Sequence, residues 1–210
     1  MSLTGVLDCI RFDESLPIHP SRLTSFLPQS FFNFSKLNNT VLANKIYFFI
    51  QKKCAHKHLT STDLKNPYCK LLNIPTESWL VIEKFLGALY YTDEIKHVID
   101  GSARTSLQNF LSQPIYECVL KRGSLYKPTL TNLTAPERNM PILMKVATMG
   151  HFALEYLWTQ ITEPLQQRFT MQFDLNTTWN FRHVIDPQVQ VNLFSLVKKL
   201  FQQELEVTVC

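Results

Sequence analysis

The chain has 210 residues and a net charge of +4, with 45% hydrophobic and only 18% charged residues. A chain of this length buries roughly 70% of its unfolded surface, and its low charge and high apolar content exclude a disordered chain or a charged coiled coil. Its five glycines are widely spaced, which excludes GxGxxG, P-loop and GxSxG sites, since each needs close glycines for a tight turn or backbone approach.

Taken in chain order, the first 19 residues read as irregular or extended, with Pro17 and Pro20 bracketing His19. The opening MSLTGVLDCIRFDES has no basic stretch followed by an apolar run, so no signal peptide is expected. Thr40 is placed to cap a helix over about 41–55, with Val41, Leu42, Ile46, Phe49 and Ile50 at helical spacing. Residues 57–75 read as a polar connector. A strong helix is expected from about 76 to 91, followed by a short one that Thr92 caps and that Asp100-Gly101 ends. Ser102 begins another short helix, and Pro114 opens a helix that Gly123 stops. The polar loop 124–138 reads as a lobe boundary or a binding loop. A long apolar helix is then expected over 140–158 and a short one from Thr162 to near Phe169. Met171, Phe173 and Leu175 alternate with polar residues, which makes 170–175 the best strand candidate. Asp186-Pro187 opens a final helix with Val189, Leu193, Leu196, Leu200 and Leu205 on one stripe. The fold expected is all-α or predominantly α: a single compact multi-helix domain over 1–210 with at most one or two short strands.

Chemistry is sparse. The five cysteines are scattered, with no CxxC pair, so free thiols in a reducing compartment are expected rather than disulfides. Cys54, His56, His58 and Cys69 form the only metal-like cluster. Their spacing does not repeat a zinc knuckle, and Lys53 and Lys57 would oppose a dication, so a solvated helix end is the reading preferred. Glu94-x-x-His97 resembles half of a di-metal carboxylate site, but no second copy occurs. No residue sits in a recognisable nucleophile turn, so neither an enzyme nor a cofactor is expected. The rival readings are a small helical metal-dependent or nucleic-acid-acting enzyme and a secretion chaperone. Lys52, Lys53, Lys57, Lys65 and Lys70, with His56 and His58, make a basic stretch containing one acid, Asp63. It reads as a solvated face or as a contact for an acidic partner. Nucleic acid is not expected, because Tyr68 alone supplies no stacking platform. No apolar run approaches the roughly 20 residues a bilayer span needs.

The stretch RFDESLPIHPSRL over residues 11–23 resembles the N-terminal signature of the SctK family, also called OrgA, MxiK or YscK. These are accessory proteins of the bacterial type III secretion sorting platform. Phe12, Asp13, Ile18, His19, Pro20 and Leu23 match the pattern, whereas Glu14 and Pro17 stand where the family often has Pro and Tyr. Two further stretches are similar and in the same order. Leu86-Gly87 leads through Leu89, Glu94-Ile95 and Ile99 to a helix containing Leu107 and Leu111, and Leu165-Gln166-Gln167-Arg168-Phe169 follows a long apolar helix. The resemblance implies a non-enzymatic, mostly helical adaptor in the bacterial cytoplasm, at the cytosolic face of the inner membrane. It would bridge the cytoplasmic domain of the inner-membrane ring protein (SctD-type) to the pod protein (SctQ-type), meeting the membrane only through partners. The candidate partner-binding residues are Lys52, Lys53, Lys57, Phe12 and His19.

Overall fold

A computed structural model describes residues 60–130, 132–133, 139–184 and 186–207, together with His19, Ser21 and Arg22. Among these residues the chain is helical, and no strand occurs. The α-helices are α1 Ser61–Lys65, α2 Thr76–Tyr90, α3 Thr92–Lys96, α4 Gly101–Leu111, α5 Gln113–Tyr126, α6 Ile142–Trp158, α7 Glu163–Thr170 and α8 Pro187–Val207. Two 3-10 segments, Pro67–Asn73 and Lys127–Thr129, join them. The helix expected over 41–55 and the residues Phe12, Lys52, Lys53 and Lys57 lie outside the described residues.

The chain divides into two compact units. The first comprises Met1–Thr76 and Ile161–Trp179, and the second Glu77–Gln160 and Asn180–Cys210. The 124–138 segment falls inside the second unit.

In the first unit, α1 and α7 pack on the 3-10 segment Pro67–Asn73. Its core is built from Leu71, Leu72, Ile74, Leu165 and Phe169, all buried. Phe169, Phe173 and Trp179 close it edge to face, with ring centroids 4.8–5.0 Å apart. The described part of the segment 57–75, expected to be a connector, forms α1 and a 3-10 segment. A capping box starts α1, with Asp63 N donating to Thr60 Oγ1 and Thr60 N donating to the Asp63 carboxylate. Asn66 Oδ1 then accepts from Tyr68 N to start the 3-10 segment.

The strand expected at 170–175 is not there. Backbone N–H groups of Gln172 and Phe173 donate to Phe169 O and Thr170 O in tight turns, so they are spent locally rather than on a ladder. The alternation misled because Gln172, between two buried apolar residues, is buried as well. Its Nε2 donates to Leu72 O, and its carbonyl accepts from Thr76 Oγ1.

In the second unit, α3 and α4 pack on α5, α4 also meets α6, and α6 meets α8. Trp79 and Trp158, fully buried, meet edge to face at 6.4 Å. Glycines let helices approach: a Cβ at Gly87 would lie 1.9 Å from Val146 O, and one at Gly150 would lie 2.0 Å from Glu83 O. Gly123 does not stop α5, which continues to Tyr126. A Cβ there would lie 2.3 Å from Thr92 Oγ1, so this glycine serves the contact between α5 and α3. Thr92 is not a cap either, since its hydroxyl donates back to Leu89 O at 2.8 Å. Asp100 caps α4 by accepting from Ala103 N. On α8 the expected stripe is in place over Val189, Leu193, Leu196 and Leu200, all buried, while the Leu205 side chain lies outside the described residues.

Candidate functional site

Of the five candidate partner-binding residues, only His19 lies among the described residues. It belongs to a clasp in the first unit. His19 N donates to Met171 O at 2.8 Å. Arg22 Nε donates to Phe173 O at 2.7 Å and its Nη2 to Asp174 O at 3.2 Å. Leu175 N donates to Ser21 Oγ at 2.9 Å. Three described residues, His19, Ser21 and Arg22, are thereby held on residues 171–175, the segment directly after α7 and some 150 residues away in sequence.

The clasp contains a serine, a histidine and an aspartate, and its geometry is wrong for a nucleophile. Ser21 Oγ lies 2.9 Å from His19 Nδ1, and Asp174 Oδ2 lies 3.8 Å from the same nitrogen. A charge-relay arrangement uses opposite ring nitrogens for the two partners. Ser21 N also donates to Nδ1, so this nitrogen accepts within a local turn. The Asp174 carboxyl is held below its usual range, mainly by the hydrogen bond from Asn176 N.

Asp63, the one acid in the basic stretch, is buried in the first unit. Thr162 Oγ1 donates to its Oδ1 at 2.5 Å, and Thr60 Oγ1 donates to its Oδ2 at 2.7 Å. These bonds, that of Thr162 foremost, keep its carboxyl below the ordinary value. Asp63 thus ties α1 to the start of α7 rather than tempering a basic surface. Lys65 and Lys70 are exposed.

In the second unit, a buried carboxylate organises the connector that precedes α8. Glu155 accepts from Asn180 N at 2.5 Å through Oε1, and its Oε2 lies 2.9 Å from His183 Nε2. His183 stacks on Tyr156 at 4.5 Å. His151 continues the chain, with Nε2 3.6 Å from Glu155 and Nδ1 3.1 Å from Glu83. Sequence reasoning missed this node. The available signal was an acid in an apolar helix four residues after a histidine, which puts both on one face.

Near the end of α2, Tyr90, Tyr91, Asp93, Glu94 and Lys127 line a surface cavity of about 210 Å³. Glu94 and His97, the pair that resembles half of a di-metal site, each have other partners here. Glu94 pairs with Lys145 at 2.8 Å, while His97 Nδ1 lies 2.6 Å from the carbonyl of Asp93. Among the described residues, no group of three or more His, Cys, Asp or Glu side chains converges to hold a metal. Within the same residues, no helix is long and apolar enough to cross a membrane. Cys69 and Cys118 are half-buried.

No protein-family profile matches the chain, and no curated protein or solved structure matches it either.

Proposed function

We propose that this chain is a non-enzymatic adaptor of the SctK type. It would link the cytoplasmic domain of an SctD-type ring protein to an SctQ-type pod protein at the cytosolic face of a bacterial inner membrane. The observation that supports this most is the clasp: the segment carrying the signature around His19 and the stretch following Leu165–Phe169 are joined by backbone and guanidinium hydrogen bonds. Two compact units, each with its own core, suit a chain with two separable binding surfaces.

The basic stretch 52–70 supplies the charge for one surface, which would steer an acidic partner and set the association rate more than the affinity. The test is binding of both partner proteins to the full chain and to the triple variant Lys52→Glu, Lys53→Glu, Lys57→Glu across a salt titration. Exposed charges are screened over about 8–10 Å near physiological ionic strength. The variant should lose affinity for one partner and keep the other. Normal binding of both would make the stretch a solvated face. Failure of the wild-type chain to bind either partner would overturn the adaptor reading.

A further inference from the structure

We propose that the face where α3, α5 and α8 of the second unit come together binds directly to an anionic lipid surface. Three contacts assemble that face. Lys96 Nζ, at the end of α3, donates to Ser124 Oγ on α5 at 2.8 Å. Lys199 of α8 lies over the Tyr126 ring at the end of α5, with Nζ 5.2 Å from its centroid. The 3-10 segment that follows α5 packs on α8.

Charge on this face is one-sided. Lys121 pairs with Glu117 at 3.2 Å and Lys127 pairs with Asp93, so those four groups cancel. Glu94 is taken up by Lys145, and Asp100 is turned to the start of α4, where it accepts from Ala103 N and Ser102 Oγ. Lys96, Arg122, Lys198 and Lys199 have no acidic partner among the described residues, and all four are exposed. A helix C-terminus favours cations, which accounts for Lys96 and Arg122. Lys198 and Lys199 lie in the middle of α8, beyond the reach of that field.

Two large aliphatic side chains stand beside the Lys96–Ser124 bond. Ile99, three residues beyond Lys96, is 97% exposed, and Leu125, next to Ser124, is 76% exposed. Single exposed apolar side chains are ordinary. Two beside one bond, flanked by cations without acidic partners, have the composition of a membrane-interface patch. There, apolar groups dip toward the acyl boundary while lysine and arginine heads stay among the phosphates. Other anionic partners fit less well. An acidic protein anchors through side chains that fill pockets, and these two project from the surface instead of lining a recess. Single-stranded nucleic acid needs open ring faces for its bases, and Lys199 covers the Tyr126 ring.

The lipid contact stands apart from the adaptor reading, in which the chain meets the membrane only through partners, and either can fail alone. The experiment is co-sedimentation of the full chain with vesicles of phosphatidylcholine, with and without phosphatidylglycerol, across a salt titration. Poly-glutamate and duplex DNA are added as competitors. The chain should pellet with the anionic vesicles, stay in solution with the neutral ones, and be released as salt rises. Each basic residue at an anionic surface strengthens attachment by about fivefold, so Arg122→Gln with Lys198→Gln should weaken it by about 25-fold. Lys96→Gln with Lys199→Gln is a second pair with the same expectation. Leu125→Ser should weaken attachment by about threefold or more. Lys65→Gln with Lys70→Gln removes equal charge from exposed positions of the first unit and should leave attachment within about twofold of the wild type. Unchanged unfolding curves show that each variant is folded. Equal pelleting with neutral vesicles, an equal loss in the Lys65 and Lys70 variant, no effect of Leu125→Ser, release by poly-glutamate or DNA at charge concentrations below that of the lipid, or no pelleting at all would each overturn the proposal.

Discussion

Gly150→Ala adds one methyl group where two helix backbones touch. The new Cβ would lie 2.0 Å from Glu83 O and 2.7 Å from Glu83 C, both backbone atoms of α2 that cannot rotate away. Ordinary contact begins at 3.4 Å, so α2 and α6 must part locally by about 1.4 Å. The side chains buried around this crossing include Trp79, Ile82, Leu86, Val146, Met149 and Trp158. A radial gap of 0.5–1 Å already forfeits about a quarter to a half of each dispersion contact. Overpacking typically costs about 1–3 kcal/mol, and a rigid obstacle belongs at the upper end. Better helix propensity returns about 1 kcal/mol. The net loss expected is about 2 kcal/mol. Urea unfolding of the full chain, followed by tryptophan fluorescence, should show the midpoint falling by about 0.7–2 M for a slope of about 1–3 kcal/mol/M. Gly101→Ala is the control, because its Cβ would meet nothing within 4 Å; it should be neutral or stabilising by up to about 1 kcal/mol. A Gly150→Ala chain as stable as the control would refute the close-crossing argument.

Three further outcomes are expected. Ser112, between α4 and α5, has φ 71° and ψ 152°, a region that favours glycine; Ser112→Gly should raise the unfolding free energy by about 1 kcal/mol. Glu155→Gln should lower stability by about 1–2 kcal/mol, whereas Glu155→Leu, which strips the partner from Asn180 N and His183, should cost about 3 kcal/mol or more in the same unfolding assay. Asp63 has its carboxyl pKa lowered on folding from 3.8. Its contribution is therefore fully present above that pH and fades as pH falls through the lower folded value. Asp63→Asn should flatten the acid limb of a stability-against-pH curve below about pH 4, and an unchanged limb would show that the Thr60 and Thr162 bonds are not retained in solution.

Helices were legible where the signal was local. The apolar stripe of α8 and the acid-plus-proline start at Asp186-Pro187 depend only on neighbours in sequence, and both are where they were expected. The misreadings share one cause: a side chain or glycine whose role is set by a distant element. Gly123 looked like a stop because glycine ends helices, but it faces Thr92. Gln172 completed an alternating pattern, but it is buried against Leu72 O. Thr60 and Asp63 are spaced as a capping box inside a lysine-rich stretch, where the acid serves the helix start and not the surface charge. The Glu155 node and the tyrosine-walled cavity need residues from separate elements to be brought together, and no spacing rule in a single sequence announces that.

The clasp decides how His19 and its neighbour Arg22 should be tested. Arg22 gives two guanidinium bonds to the carbonyls of Phe173 and Asp174 in a partly buried setting. Hydrogen bonds to charged groups contribute about 1.5–3 kcal/mol, and their loss leaves carbonyls without donors. Arg22→Ala should therefore lower the stability of the first unit by about 2 kcal/mol and shift its unfolding to lower urea. His19 engages the same turn through its backbone N–H, while its ring nitrogen bonds Ser21 Oγ and lies 3.8 Å from Asp174 Oδ2, so His19→Ala should act in the same direction but less, because the N–H bond to Met171 O survives. In both variants, partner affinity per folded molecule at low temperature should match the wild type, since these groups are directed at the chain's own 171–175 segment. Lost binding with an unchanged unfolding curve would reverse this assignment and make the signature itself the recognition surface.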